Sequence, residues 1–156
     1  MKGEFRKLSQ SFRAAWCGVL HVVRHERNFR IHITVMGYVL LFALLGRVSS
    51  AQFAALAMCF GIVLSAELFN TAIELLCDRI DPHYDKLLGR IKDLAAAAVL
   101  VSALMAAVAG LAIFLSKAVL SSVLETLYCA PYLLVLLVCT IPLALLFIFR
   151  FGRNRL

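Results

Sequence analysis

The sequence predicts an all-α integral membrane protein, with an N-terminal amphipathic surface helix followed by four transmembrane helices. Three observations lead there. Of 156 residues, 63% are hydrophobic and 16% charged, with a mean hydropathy of +0.92; a soluble domain is roughly half apolar. Too few polar side chains exist to clothe a globular surface, so lipid must solvate most of the chain. The apolar residues gather in four stretches, 31–45, 52–77, 94–116 and 131–149, each close to the length that spans a bilayer core. The basic residues also fall in alternate connections, as membrane topology requires.

The elements follow in order. Phe5, Leu8, Phe12, Trp16, Val19 and Val23 recur at steps of three and four, with Lys2, Arg6, Arg13 and Arg24 mainly elsewhere around the helix. This predicts a surface helix over 4–28 lying on the cytoplasmic leaflet. Such a helix suits a plain anchor and a lipid-active enzyme equally well. The span at 31–45 is marginally short, and the span at 52–77 carries a polar stripe. The segments 46–50, 78–93 and 117–128 are read as polar loops. The last span begins at Pro131 and contains Pro142, where a kink is expected.

Fourteen of the 16 Lys and Arg lie before residue 31, between 79 and 92, or after 149; only Arg47 and Lys117 occupy the alternate connections. Both termini and the 78–93 loop are therefore expected in the cytoplasm. A net charge of +7 in so apolar a chain points to anionic lipid headgroups rather than nucleic acid. Five cysteines stand singly in apolar surroundings, which indicates packing and neither a disulfide framework nor a zinc site. The charged start leads into no short apolar core with a cleavage site, so no removable signal peptide is expected.

The chemistry concentrates in the stretch from Glu67 to Asp78. Glu67, Asn70, Thr71, Glu74 and Asp78 share one helix face, and at ~1.5 Å rise per residue Glu67 and Glu74 are about 10 Å apart along the axis. Ionisable groups at membrane depth are costly unless they face protein, a cavity or an ion, and for that reason they mark functional sites; a structural polar contact between helices is the competing explanation. Seven of the nine acidic residues lie on the cytoplasmic side, among them Glu26 before the first span and Asp93 beside Lys92 before the third. Carboxylates with a lysine within reach of cytosolic nucleotide suit Mg²⁺ and phosphate. Phosphoryl transfer to a lipid alcohol needs a divalent ion, a cation for developing charge and a base for the hydroxyl. Glu67 is placed to meet the hydroxyl, and Glu74 and Glu26 to hold the metal. No GxxxxGK[ST] loop is present, so a nucleotide site must be of another design. His21, His25 and His32 lack the spacing of a zinc site and read as headgroup or loop contacts.

At these residues the chain resembles the small bacterial diacylglycerol kinase and undecaprenol kinase family of membrane lipid kinases. The matching elements are His25-Glu26-Arg27-Asn28-Phe29-Arg30, the run from Ala66 to Glu74, Asp78, and the run from Gly89 to Ala96. They extend the likeness from about Phe12 to Phe114. The resemblance implies a homotrimer of three-span subunits in the bacterial cytoplasmic (inner) membrane, with active sites shared between neighbours and Mg²⁺-ATP as phosphoryl donor. It implies Glu67 as general base, Glu26 and Glu74 as metal ligands, Lys92 and Asp93 as nucleotide contacts, Asn70 near the substrate hydroxyl, and Asp78 and Tyr84 in the nucleotide pocket. The kinase unit is then 1–116, and 117–156 is an extra transmembrane helix with a basic tail.

Two departures stand out. Asp85 occupies a position where the family often has His, which weakens the transfer of a phosphate contact to it, and everything beyond Lys117 is additional. The wording around His32 is nearer the undecaprenol branch, so the expected product is undecaprenyl phosphate, with diacylglycerol as the alternative acceptor. From another class, a small proton-coupled transporter also places carboxylates in a membrane; its site belongs at the bilayer midplane, whereas Glu74 and Asp78 lie at the cytoplasmic end.

Overall fold

The computed structural model describes residues 2–81, 83 and 85–151. Among the described residues the chain forms six helices and no strand: α1 (Lys2–His25), α2 (Arg27–Leu45), α3 (Ser50–Ile80), α4 (Lys86–Phe114), α5 (Lys117–Cys129) and α6 (Tyr132–Arg150). Four of them, α2, α3, α4 and α6, are long and apolar enough to cross a membrane.

The helix boundaries have local causes. Glu26 breaks what the periodicity reads as one surface helix over 4–28: it is extended (φ −98°, ψ 115°) and stands as the N-cap of α2, without using its carboxylate to cap. Its carboxylate is thereby left for another partner. α3 opens with a capping box, in which Ser49 Oγ accepts from the Gln52 amide at 3.3 Å and Gln52 Oε1 accepts from the Ser49 amide at 2.9 Å, satisfying donors that a helix start leaves free. α4 begins at Asp85, whose carboxylate accepts from the amides of Leu87 and Leu88, each at 2.8 Å. The expected loop over 78–93 therefore shrinks, because α3 runs on to Ile80 and α4 begins at Lys86. Asp78 ends up on α3, and Lys92 and Asp93 on the first turns of α4.

The segment 117–128, read as a polar loop, is instead the helix α5. Lys117, Ser121 and Glu125 give it a polar character, yet Val119 and Val123 sit four apart and are buried. That spacing makes one apolar edge of a short helix. It docks on the end of α2 at Gly46, where a Cβ would stand 2.6 Å from Val119 Cγ1, so the close approach requires glycine. Arg47 then turns the chain with φ 50°.

α3 and α4 pack along most of their length, while α2 touches α1, α3, α5 and α6. The buried face is thin: Leu56 and Val63 on α3, Ala95 and Val99 on α4, and nothing on α6. Small residues let the α4 backbone come close. Elsewhere large apolar side chains such as Phe69, Leu104 and Leu143 point outward, an arrangement that water would not support and lipid does.

Candidate active site

The polar stripe of α3 faces α2 and α4 rather than lipid. Glu67 is 2% exposed. One turn on, Thr71 returns its hydroxyl to the Glu67 carbonyl at 3.0 Å. His32 Nε2 on α2 approaches Glu67 Oε1 to 3.2 Å, but the alignment is poor, and that oxygen has no hydrogen-bond partner. A buried polar atom left without a partner costs several kcal/mol, so this oxygen is open to a ligand group. It borders a cleft of about 250 Å³ whose walls include Asn28 and His32 from α2, Asn70 from α3, and Ala96 and Val99 from α4.

Asn70 links this cleft to the next carboxylate. Its Nδ2 donates to Glu74 Oε1 at 2.8 Å, while its Oδ1 is buried without a partner. Burial pushes the Glu26 carboxyl above the usual carboxylate range; the negative charges of Glu74 and then Glu67 act in the same direction, against weaker pulls from His25 and Arg30. Three carboxylates thus come within electrostatic reach of one another, short of compensating positive charge. Among the described residues no three or more His, Cys, Asp or Glu side chains enclose a metal position. Glu26 and Glu74, two carboxylates that repel each other's charge, are a donor set of the kind that suits Mg²⁺, which takes one or two carboxylates and completes its shell with water and substrate phosphates.

At the end of α3 and the start of α4, Lys92 Nζ donates to Asp78 Oδ1. They line a second cleft of about 370 Å³ together with Asp81, His83, Asp85 and Gly89. Asp81 Oδ1 accepts from the His83 amide at 2.8 Å and lies 3.2 Å from its Nδ1. Asp85 spends its carboxylate on the α4 cap. Asp93 is exposed, and Tyr84 lies outside the described residues.

A third, apolar groove of about 530 Å³ runs between α2, α3 and α4, from His32 through Val63 and Ala107 to Phe114. His32 and Ala103 line both this groove and the Glu67 cleft. A polar head and an apolar tail of one ligand therefore meet at adjoining surfaces.

Sequence reasoning did not bring out Asn28, Asp81 or His83 as cleft residues, nor the pairing of His32 with Glu67. Asn28 stands beside Glu26 in the sequence, and Asp81 and His83 lie in the turn between two site-bearing helices; those neighbours were the available signal. The His32 pairing crosses two helices 35 residues apart in number, and no local pattern reveals it.

A family profile described as prokaryotic diacylglycerol kinase matches residues 13–114. The chain belongs to that family. It is similar to the undecaprenol kinase of Bacillus subtilis, at 35% identity over 116 residues that cover 74% of this chain and 94% of that protein. It is also similar to the diacylglycerol kinase of Synechocystis, at 39% over 101 residues, 64% of this chain and 58% of the relative. With the diacylglycerol kinase of Escherichia coli K12 it shares 43% identity over 47 residues, 30% of this chain and 38% of the relative. The protein is thus a membrane lipid kinase, and as a kinase it uses ATP; the transporter alternative has no support in the match. The profile ends at the last residue of α4, so this kinase carries α5 and α6 beyond the matched region.

Proposed function

We propose that this kinase phosphorylates undecaprenol at the cytoplasmic face of the bacterial inner membrane, with Mg²⁺-ATP as donor and undecaprenyl phosphate as product. The observation that carries this reading is the buried, unpartnered Oε1 of Glu67 in a small polar cleft that continues into an apolar groove. The groove takes the hydrocarbon tail of the acceptor and brings its hydroxyl to the cleft. Ala103, Ala106, Ala107 and Gly110 leave one wall of the groove without bulky side chains, which makes room for a hydrocarbon chain. The similarity to an undecaprenol kinase over nearly all of that protein supports the same acceptor.

Each residue then has a task. Glu67 accepts the proton of the lipid hydroxyl at Oε1 as the oxygen bonds to the γ-phosphorus, while the bond from that phosphorus to the β-phosphate oxygen breaks and ADP leaves. Asn70 orients that hydroxyl and steadies Glu74. Glu26 and Glu74 would hold Mg²⁺, which would supply positive charge against the phosphates. Lys92, released from Asp78, pairs with phosphate, while Asp78, Tyr84 and Asp93 serve the nucleotide side and Asp85 shapes it through the α4 cap. Glu67 for the lipid, Glu74 for the metal and Asp78 for the nucleotide belong to one face of α3, with Glu74 about two and Asp78 about three helical turns from Glu67. Residues 1–116 form the kinase unit, assembled as a homotrimer, and the additional span returns the C-terminus of the whole chain to the cytoplasm beside the N-terminus.

The test offers the purified protein labelled ATP, Mg²⁺ and, in separate reactions, undecaprenol, shorter polyprenols and diacylglycerol. Undecaprenol is expected to win in kcat/KM by about tenfold or more, a gap of ~1.4 kcal/mol in transition-state binding. Diacylglycerol is the second reading, favoured by the Synechocystis relative, and a tenfold preference for it would replace the first. Transfer to none of them would end both.

A further inference from the structure

The helix that the family profile does not cover is tied to the site by one buried cation. Arg30, in the first turn of α2, is 6% exposed. Its Nη1 donates to the carbonyls of Val23 at 2.9 Å and Arg24 at 3.2 Å, and its Nε donates to the carbonyl of Ile148 at 3.1 Å. Val23 and Arg24 belong to the last turn of α1 and Ile148 to the last turn of α6. Carbonyls in those turns lack helical partners, and a cation there is favoured by both helix dipoles. A buried guanidinium would be costly without them. The planar fork of arginine is what allows one side chain to serve two helix ends.

The hub stands one turn from Glu26. The Arg30 amide donates to the Glu26 carbonyl at 3.4 Å, so the guanidinium and the carboxylate are fixed to the same helix start. α6 has no buried residue of its own; besides apolar contact it meets α2 through the Tyr38 hydroxyl and Thr140 Oγ1, 3.0 Å apart. At the other end of α2, Thr126 of α5 donates to the Leu45 carbonyl at 3.3 Å, and Val119 closes on Gly46. The hairpin α5–α6 therefore grips α2 along its whole length.

We propose that Arg30 is a positioning residue through which the C-terminal hairpin holds Glu26 in place, so that the additional span braces the Mg²⁺ side of the site rather than merely anchoring the chain. The proposal rests on the reading of Glu26 as a metal ligand. Groups behind a ligand typically set metal affinity by about 10- to 100-fold, because a carboxylate displaced by a fraction of an ångström loses its geometry.

The test begins with the full chain and a chain ending at Ser116, each with Arg30 or with Arg30→Gln. The readouts are kcat at saturating Mg²⁺, the Mg²⁺ concentration for half activity, and hydrogen exchange of the amides from His25 to Arg30. In the full chain, Arg30→Gln is expected to raise the Mg²⁺ requirement about tenfold while kcat at saturating Mg²⁺ stays within about threefold. Truncation does the same, and adding Arg30→Gln to the truncated chain changes little more, since coupled sites are non-additive. Arg30→Lys keeps the charge but reaches one helix end, so it recovers part of the effect. If the shortened chain does not fold, Gly46→Val drives a side chain into Val119 and lifts the hairpin at full length, with the same expected rise. An unchanged Mg²⁺ requirement and unchanged exchange on truncation, or independent multiplication of the two effects, would overturn the brace. A full chain that transfers phosphate to no lipid would sink the proposed function instead, and faster exchange at residues 25–30 in the variants would still report the brace.

Discussion

The α3–α4 pair and the α5–α6 hairpin are both helical and both apolar, yet they are held by opposite means. The first places a buried carboxylate, an amide and a lysine–aspartate pair along its seam. The second has no acid but Glu125, buries only two valines of α5, and leans on α2 through single hydrogen bonds and a glycine contact. Polar groups at membrane depth are expensive, so a chain concentrates them where chemistry repays the cost and leaves its remaining helices plain. On the proposed function the first catalyses and the second supports it.

The largest effect is expected at Glu67. Glu67→Gln should keep nucleotide binding and lose about 100-fold or more in turnover, the scale of a general base; near-normal turnover in a labelled-ATP assay would remove it from that role. Next come the carboxylates proposed to hold the metal. Glu74→Gln should raise the Mg²⁺ requirement by about tenfold, and an unchanged titration would count against a ligand there.

The Mg²⁺ requirement should also depend on pH through Glu26. Its folded carboxyl holds a proton to higher pH than a free glutamate, mainly because it is buried and then because Glu74 and Glu67 repel its charge. Ionising it therefore costs the cation-free fold stability as pH rises past the ordinary glutamate range, the reverse of a salt-bridged acid. Mg²⁺ must displace that proton, so its half-saturating concentration should rise as pH falls through the same window. Glu26→Gln should flatten this dependence while raising the requirement throughout. A wild-type curve that is flat over that window would contradict the account.

Lys92→Met should raise KM for ATP by about tenfold through a lost phosphate contact, yet barely change thermal stability, since an exposed ion pair is screened by water and contributes little. Equal losses in both measurements would recast the pair with Asp78 as structural. The smallest effect belongs to the hairpin: Tyr38→Phe removes the bond to Thr140 and should cost about 0.6 kcal/mol, typical of such bonds between membrane helices, seen as a slight drop in unfolding temperature with transfer intact.

Much of this molecule was legible in the residue order. Membrane character, four spans and the one-faced row of Glu67, Asn70, Glu74 and Asp78 follow from composition and from the 3.6-residue period, which are local properties. α5 was not legible, because a helix of 13 residues with two buried valines looks like any polar connection until Gly46 receives it. Nor was the break at Glu26, since the apolar period ends at Val23 but neither Gly nor Pro marks a stop there; Glu26 is an extended residue between two packed helices. The sequence alone determined which side chains share the face of α3. Only the tertiary structure decided that His32 meets Glu67, that a polar cleft opens into an apolar groove, and that Arg30 joins three helices, because each of these depends on which helices lie side by side, and that is set by the fit of surfaces far apart in the chain.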